Sequence, residues 1–488
     1  MAIAIFIRFF RVLAVAGHGV IAAVREAIAS RNVSAEEVTR HALDRIERLD
    51  GPINAVIALR ADEALAEARA HDRSGVAGGP LAGVPVLVKD LEDVMGMRTT
   101  QGSVLFADIP QATSDGLVPS RLKAAGGIVV GKTNLPEFAS EGFTSNLLFG
   151  TTCNPWSLEW SPGGSSGGSA AAVSAGMAPI ATATDGGGSI RIPAAFCGLV
   201  GIKPTNGVIG RRPIPDWIDF STDGPFATTV ADLRMILAIE RGPEPGDPTA
   251  LPASYSATGD KPSRIFATPR LSGLGPLPAA VSSAFEAALA AAEQTLGIRI
   301  ERLDTESIWT NGGPKDEWVV LASVEHVHHL GRDFVQAGLD RMHPAARAFM
   351  EQGLRTSIQE YMAARWRRFD YVRQFDELLG ADAVILSPTV AAAGFLADGR
   401  LTPEDEPGML ASGVYNTETA NMTGLPAISL PAGRCPNGVP FGLQVMAPRY
   451  RDAWLLDLAE VWERERPWPL VAPGYESFEV GLGLGAKR

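Results

Sequence analysis

Cysteine and histidine are scarce in this chain, with 3 and 7 among 488 residues. Cys153, Cys197 and Cys435 lie far apart, a pattern that builds neither a disulfide framework nor a zinc cage and suits a reducing cytoplasm. Clustered positive charge is missing too. The 43 Lys and Arg face 55 Asp and Glu, and the net charge of −12 comes without the basic footprint of a nucleic-acid ligand. No run reaches the ~18 uncharged apolar residues of a membrane span. The nearest is the opening stretch MAIAIFIRFFRVLAVA, where Ala14, Val15 and Ala16 resemble a signal-peptidase site. Arg8 and Arg11 interrupt its apolar core and no positive charge precedes it, so an amphipathic leading helix is expected instead of secretion.

What is present suffices for a large core: 46% of residues are hydrophobic and 20% charged. Residues 19–71 read as helices, with Ser34 capping a first turn that carries Glu36 and Glu37. Past a Gly-rich break at 75–79, apolar runs at 84–88, 128–130, 178–184 and 199–202 alternate with helical segments, the order of an α/β protein. A Pro/Gly/Asp-rich loop at 242–262 precedes a strand at 264–267 and a long Ala-rich helix from Ala279. Later strands are expected at 383–386, 427–430 and 442–446, among helices around 315–379 and 452–465. The domain reading is a helical region at 1–74 packed on an α/β domain at 75–488, effectively one unit.

Two motifs mislead. Gly126, Gly131, Lys132 and Thr133 match the phosphate-binding pattern G-x4-G-K-[ST], but Gly127, Ile128, Val129 and Val130 between them form a strand-like apolar run, not a flexible turn. Gly164, Ser166 and Gly168 fit the nucleophile elbow G-x-S-x-G, which needs a histidine after the late strands. His326, His328, His329 and His343 all lie in helical sequence before them. His326 and His329 can share a helix face as metal ligands, yet no matching carboxylate cluster accompanies them, so a solvated or packed pair is expected and no metal or cofactor.

The chemistry concentrates at 161–201, SPGGSSGGSAAAVSAGMAPIATATDGGGSIRIPAAFCGLVG. Ser169 reads as the cap of a helix of about eight residues, ~12 Å long, followed by a strand of about six, ~20 Å long. If the two run antiparallel, the loop at 185–189 returns beside the loop at 163–168 and brings Ser165 to Ser189. Gly186, Gly187 and Gly188 clear side chains from the turn before Ser189 and let backbone N–H groups converge as an oxyanion hole. Serine needs a base, and with histidine set aside the candidate is Lys89, at the carboxyl end of the strand 84–88. Its neutral form requires a pKa lowered from ~10.4 toward ~7 to 8, roughly 4 kcal/mol of unfavourable desolvation that burial can supply.

These residues resemble the amidase signature enzymes. The blocks AGVPVLVKD (82–90), GKTNLPEFA (131–139), FGTTCNPW (149–156), PGGSSGGSAAAVSAG (162–176) and TDGGGSIRIPAAFCGLVGIKPT (184–205) are similar to that family's defining elements. Looser similarity runs through INAVIAL (53–59), LSPT (386–389) and the stretch 423–448. The resemblance implies the family's α/β fold, a large mixed sheet covered by helices on both faces, with signature blocks at about 80–210 and a variable substrate-side region at about 242–380. It also implies Ser189 as nucleophile, Ser165 in a cis peptide linkage as proton relay and Lys89 as terminal base. The oxyanion would sit on the N–H groups of Gly186, Gly187, Gly188 and Ser189, with Ser166, Asp185 and Arg191 as supports. The chain departs from the family pattern at Gly187, where Thr or Ile is usual ahead of the final Gly-Gly-Ser element, and in its first 14 residues.

The family also includes the amidotransferase component that works on mischarged tRNA. Pro136 stands where that branch carries Asp, and the acidic balance offers no help with tRNA. A non-catalytic scaffold is the other alternative, against which all three catalytic side chains are in place. The expected activity is hydrolysis of a neutral, largely apolar amide, aryl amide or carbamate by a monomer or homodimer, with no membrane or nucleic-acid partner. Phe143, Phe149, Trp160, Trp217, Phe220 and Tyr415 are candidates to line the cleft, with ordinary core the competing reading for each. Arg211 and Arg212 read as a solvated loop pair, the alternative being a carboxylate clamp.

Overall fold

Alternating packing partners along a late strand that is buried at every position show how the core is layered. In Pro440–Met446, Leu443 and Val445 pack with Phe285, Leu289 and Trp462 of the helices Ala279–Leu296 and Asp452–Glu465. On the opposite face Met446 meets Tyr371, Phe375 and Ala420 of the helices Ile358–Leu379 and Glu418–Thr423. A strand buried on both sides needs helices on both sides. The structure, a computed structural model, describes residues 19–74, 78–214, 216–252, 262–271, 276–309, 313–401 and 416–479. The leading apolar stretch and Tyr415 lie outside the described residues.

That strand belongs to a mixed seven-stranded sheet ordered Phe226–Ala227, Val200–Lys203, Ala427–Arg434, Pro440–Met446, Ala383–Pro388, Arg264–Ala267 and Ile300–Arg302. The last three run parallel to one another and the other pairings are antiparallel. A four-stranded sheet, ordered Val56–Leu59, Ile128–Thr133, Pro85–Lys89 and Ile180–Ala181, carries the lysine. Pro85–Lys89 is its parallel centre, buried at every position. The expected α/β architecture with a large mixed sheet is present.

Two local readings change. The region before residue 75 is not all helix: Val56–Leu59 pairs antiparallel with Ile128–Thr133 and so belongs to a sheet. Ser34 does cap Ala35–Leu49, accepting from the Glu37 N–H at 3.0 Å while Glu37 returns to the Ser34 N–H. The single strand expected at 178–184 is two short ones. Ile180–Ala181 pairs with the Lys89 strand, whereas Thr184–Asp185 pairs with Thr222–Asp223. The chain changes partners between them, with the Thr182 N–H still bonded to Leu87 O at 3.0 Å. This handover delivers the glycine turn across the end of the Lys89 strand.

Gly131, Lys132 and Thr133 form a strand end and not a phosphate loop. Lys132 is buried and its Nζ pairs with Asp90 Oδ1 at 3.2 Å and donates to the Glu92 carbonyl at 2.6 Å. Among the described residues no helix is long and apolar enough to cross a membrane.

Candidate active site

A lysine at the end of an all-buried strand has no water to hold its charge. Lys89 is fully buried, its backbone N–H donates to Thr182 Oγ1 at 3.0 Å, and Nζ lies 2.7 Å from Ser165 Oγ and 2.8 Å from Thr184 Oγ1. The two Nζ contacts are both on hydroxyls, with no carboxylate among them, and orient the amine without neutralising a charge. Burial therefore lowers its pKa from 10.5 to about 7, against the opposing pull of Glu92, Asp185 and Asp223. Those neighbours are weakened as counter-charges, because burial raises both Glu92 and Asp223, and Asp223 pushes Glu92 further. Thr182 and Thr184 escaped the sequence reading. Their i, i+2 spacing along 182–184 is the signal that would have found them, since it puts both hydroxyls on one side of an extended segment.

Ser165 follows a cis peptide bond from Gly164. Ser166 bridges the two loops: its N–H donates to the Ser189 carbonyl at 3.3 Å, and its Oγ accepts from the Thr184 N–H at 3.3 Å. Ser166 rather than Ser169 occupies the cap position of the helix Gly167–Ser174. Ser169 lies within it, with Oγ 2.6 Å from Thr133 Oγ1.

The turn before Ser189 is glycine because aromatic rings lie where side chains would be. A Cβ on Gly186 would meet Trp217 at 2.0 Å, and one on Gly187 would meet Trp318 at 2.5 Å. Gly188 has φ 131°, a conformation that side chains resist. Outside partners fix the carbonyls: Trp318 Nε1 donates to Gly186 O at 2.8 Å and Thr417 Oγ1 to Gly187 O at 2.6 Å. The Gly188 N–H donates to Asp185 Oδ1 at 2.7 Å, so it braces the turn and, unlike the expectation for it, does not stand free to meet an oxyanion.

Asp185 and Arg191 form an ion pair beneath the turn. Arg191 Nε and Nη2 hold the Asp185 carboxylate at 2.9 and 2.8 Å with both side chains fully buried. Burial by itself would raise the Asp185 pKa, but the guanidinium and the Asn421 amide outweigh it and hold the group at about 2. Arg191 also donates to Thr417 O, Gln444 Oε1 and Asn421 Oδ1 at 2.7, 2.8 and 2.7 Å, and nothing in the sequence marked those three partners. Lys203 was missed as well. It is a third buried lysine beside Lys89 and Lys132, lowered to about 7 by burial and Arg191, with Nζ on Pro204 O at 2.7 Å and Asn206 Oδ1 at 3.0 Å.

Two cavities meet at Ser189. One of about 350 Å³ is lined by Ser165, Thr184, Gly186, Ser189 and Trp217, the other, about 220 Å³, by Gly187, Ser189, Ile192, Trp217, Trp318 and Phe349. Trp217 is thus a wall of both. Phe143 and Trp160 are not: they pack with Ile192, Phe196 and Phe395 in a separate cluster and line neither cavity, because the Gly399 backbone lies against the Phe143 ring. Phe220 is core, stacked behind Trp217 at 6.2 Å. Arg211 and Arg212 reach the larger cavity but are neither solvated together nor a free clamp. Arg211 is buried on Asp247 and Thr249, and Arg212 pairs with Glu244 at 2.7 Å.

Among the described residues, no group of three His, Cys, Asp or Glu is arranged to hold a metal ion. His326 instead faces Asp216.

The arrangement has counterparts. Residues 37–456 match the family model described as Amidase. An acylamidase of Rhodococcus erythropolis is 36% identical over 465 residues, covering 90% of this chain and 94% of that protein. A glutamyl-tRNA(Gln) amidotransferase subunit of Chromohalobacter salexigens is 34% identical over 484 residues, covering 91% and 95%. Among solved structures, a bacterial aryl acylamidase of the amidase signature family superposes with a TM-score of 0.81 at 28% identity, covering 91% of this chain and 95% of that one. With its signature blocks, its sheet order and the match over most of its length in agreement, the chain belongs to the amidase signature family.

Proposed function

We propose that the protein is a stand-alone amidase that cleaves the carbon-nitrogen bond of a neutral, largely apolar amide, aryl amide or carbamate through an acyl-enzyme on Ser189. The observation that carries this reading is the buried Lys89 Nζ at 2.7 Å from Ser165 Oγ, in one cavity with Ser189. Neutral Lys89 takes the Ser165 proton as Ser165 takes that of Ser189, whose Oγ then attacks the substrate carbonyl. The N–H groups of Gly186, Gly187 and Ser189 receive the developing oxyanion. As the tetrahedral adduct collapses, the carbon-nitrogen bond breaks, the proton returns along the same serine to the departing amine, and water hydrolyses the acyl ester. Apolar walls from Trp217, Trp318, Ile192 and Phe349 support an uncharged aryl or alkyl group beside the scissile bond.

The 34% identity to a glutamyl-tRNA(Gln) amidotransferase component favours a second reading, glutamine hydrolysis on behalf of a tRNA-bound partner. The two are separated by offering the purified chain alone a panel of acyl anilides, aliphatic amides, aryl carbamates and glutamine, and by mapping the acyl adduct by mass spectrometry. Hydrolysis of an anilide with the adduct on Ser189 is the expected result. Glutamine turnover that appears only with added partner proteins overturns it.

A further inference from the structure

Glu141 is a carboxyl that the chemistry above leaves unused. It follows the turn Glu137–Ala139 and lines the smaller cavity with Ser189. Its backbone is held against the serine loop, since a Cβ on Gly164 would meet the Glu141 carbonyl at 2.7 Å. The walls around it are apolar, from Ile192, Trp217, Trp318 and Phe349. Among the described residues no hydrogen-bond donor or counter-charge reaches its side chain, yet the residue is only partly buried and neither carboxyl oxygen is sealed off. Burial nonetheless raises its pKa from 4.5 to about 8. A carboxyl that is open and at the same time strongly desolvated faces a recess and not bulk water, and the recess it lines is the cavity. Lys315, from the helix Lys315–Leu330, and Glu418, from the helix Glu418–Thr423, are the other charged side chains of that cavity, and the shift owes nothing to either. Near neutral pH the group is therefore an uncharged acid with an O–H to donate.

We propose that Glu141 is a specificity-determining residue, whose carboxyl donates a hydrogen bond to an acceptor, an ether or carbonyl oxygen or a ring nitrogen, on the substrate arm that enters the smaller cavity. The inference rests on the amidase reading above and sharpens its substrate class: an uncharged arm, apolar along the Trp217 and Trp318 walls, with one acceptor at the Glu141 end. An arm made only of hydrocarbon covers the O–H without pairing it and binds less well for that reason.

The test uses acyl anilides carrying methoxy or its isostere ethyl, on the ring in one series and at the end of the acyl chain in another, so that whichever arm enters the smaller cavity is covered. At one position the wild-type chain prefers methoxy by about fivefold in kcat/KM at pH 7, the worth of one neutral hydrogen bond. That preference fades as pH rises through about 8, where the carboxyl loses its proton. Comparing two substrates at each pH cancels the titration of Lys89, and the measurement needs no variant. Glu141→Leu brings the ratio close to one at every pH. Glu141→Gln, whose amide N–H still donates, keeps the preference and holds it above pH 8, which a merely structural role would not produce. Thermal melts of both variants separate a lost preference from a lost fold. Calorimetry on Ser189→Ala gives the same preference in binding without turnover. A methoxy preference that survives Glu141→Leu, or none at any position, overturns the assignment even while anilides are hydrolysed. So does a stronger preference for an aminomethyl group, which marks the residue as an anion holding a cation. A chain that hydrolyses no anilide overturns the amidase reading first and the inference with it.

Discussion

Arg191 grips the carboxylate of Asp185 with two nitrogens, at 2.9 and 2.8 Å, and both residues are completely buried. Its remaining N–H groups go to Thr417, Gln444 and Asn421, so each of the five donors of the guanidinium is matched. The carboxylate in turn accepts the backbone N–H groups of Gly188 and Ile190 on either side of Ser189. The pair is therefore a clamp that sets the turn carrying Ser189 against the large sheet. Arg191→Ala leaves Asp185 buried without a counter-charge and should lower unfolding free energy by about 3–5 kcal/mol. Arg191→Lys recovers only part, since an ammonium lacks the planar fork. Urea unfolding measures both, and a change within about 1 kcal/mol for Arg191→Ala, near the scale of an ordinary surface substitution, would remove the clamp from the account.

The pH dependence of that pair has a definite sign. The Asp185 pKa in the folded protein, about 2, lies below its ordinary 3.8. Its stabilising contribution is accordingly complete above ordinary carboxylate pH and is lost as pH falls through 3.8 toward 2. Acid unfolding followed between about pH 5 and pH 2 should show a shallower loss of stability in Asp185→Asn than in the wild type.

Ser189→Ala should abolish hydrolysis with the fold intact, because the nucleophile is gone. Ser165→Ala should retain a slow residue of activity, since Ser189 and the oxyanion N–H groups remain. Single-turnover kinetics with acyl-adduct mass spectrometry distinguishes them. An adduct on Ser166 would transfer the nucleophile's role to the elbow-like motif.

Activity should fall as pH drops below about 7, because Lys89 must be neutral to take a proton and its pKa is lowered to about 7. Lys89→Met fills similar space without a base and should be inactive. It should also melt at the same or a higher temperature at neutral pH. A lysine whose pKa is depressed on folding opposes folding most at pH below that value, and the penalty fades as pH rises toward 10.5. A pH–rate profile flat from about pH 5 to 8 would exclude Lys89 as the base.

Gly186→Ala places a methyl 2.0 Å from the Trp217 ring and must displace either the indole or the turn. The expected cost is about 1–3 kcal/mol of stability and a lower kcat, as one oxyanion donor moves. Trp217→Leu in the same chain should restore part of both. Failure of the double variant to recover would place the cost of Gly186→Ala in the backbone and not in the ring.

Much of the site could be read before folding because its chemistry is local. The run ending in Lys89 is apolar at every position, which by itself implies a buried strand and a desolvated amine. The serines and glycines of 161–189 sit on one helix, one short strand segment and the turns that join them, so sequence spacing carries spatial meaning. Where the reading failed, the deciding contact was one that spacing does not show. A glycine run lets N–H groups converge, but only the return of the Asp185 carboxylate across the turn shows that the Gly188 N–H is engaged there. Phe143 is core, one of the two placements its residue type leaves open, since hydrophobicity does not say which face a ring will cover.

The family, the glycine turn before Ser189 and the buried lysine were legible in the chain itself, because residue type and spacing within each signature block set backbone conformation and burial. The tertiary structure alone decided the rest. Arg191 reaches acceptors 226, 230 and 253 residues along the chain, and Trp318 reaches Gly186 from 132 residues away. The helix Lys315–Leu330 carries both Trp318 and His326 to the cavity. Such meetings follow from sheet order and helix packing, where each contact depends on the placement of every element between, and no local pattern encodes that sum.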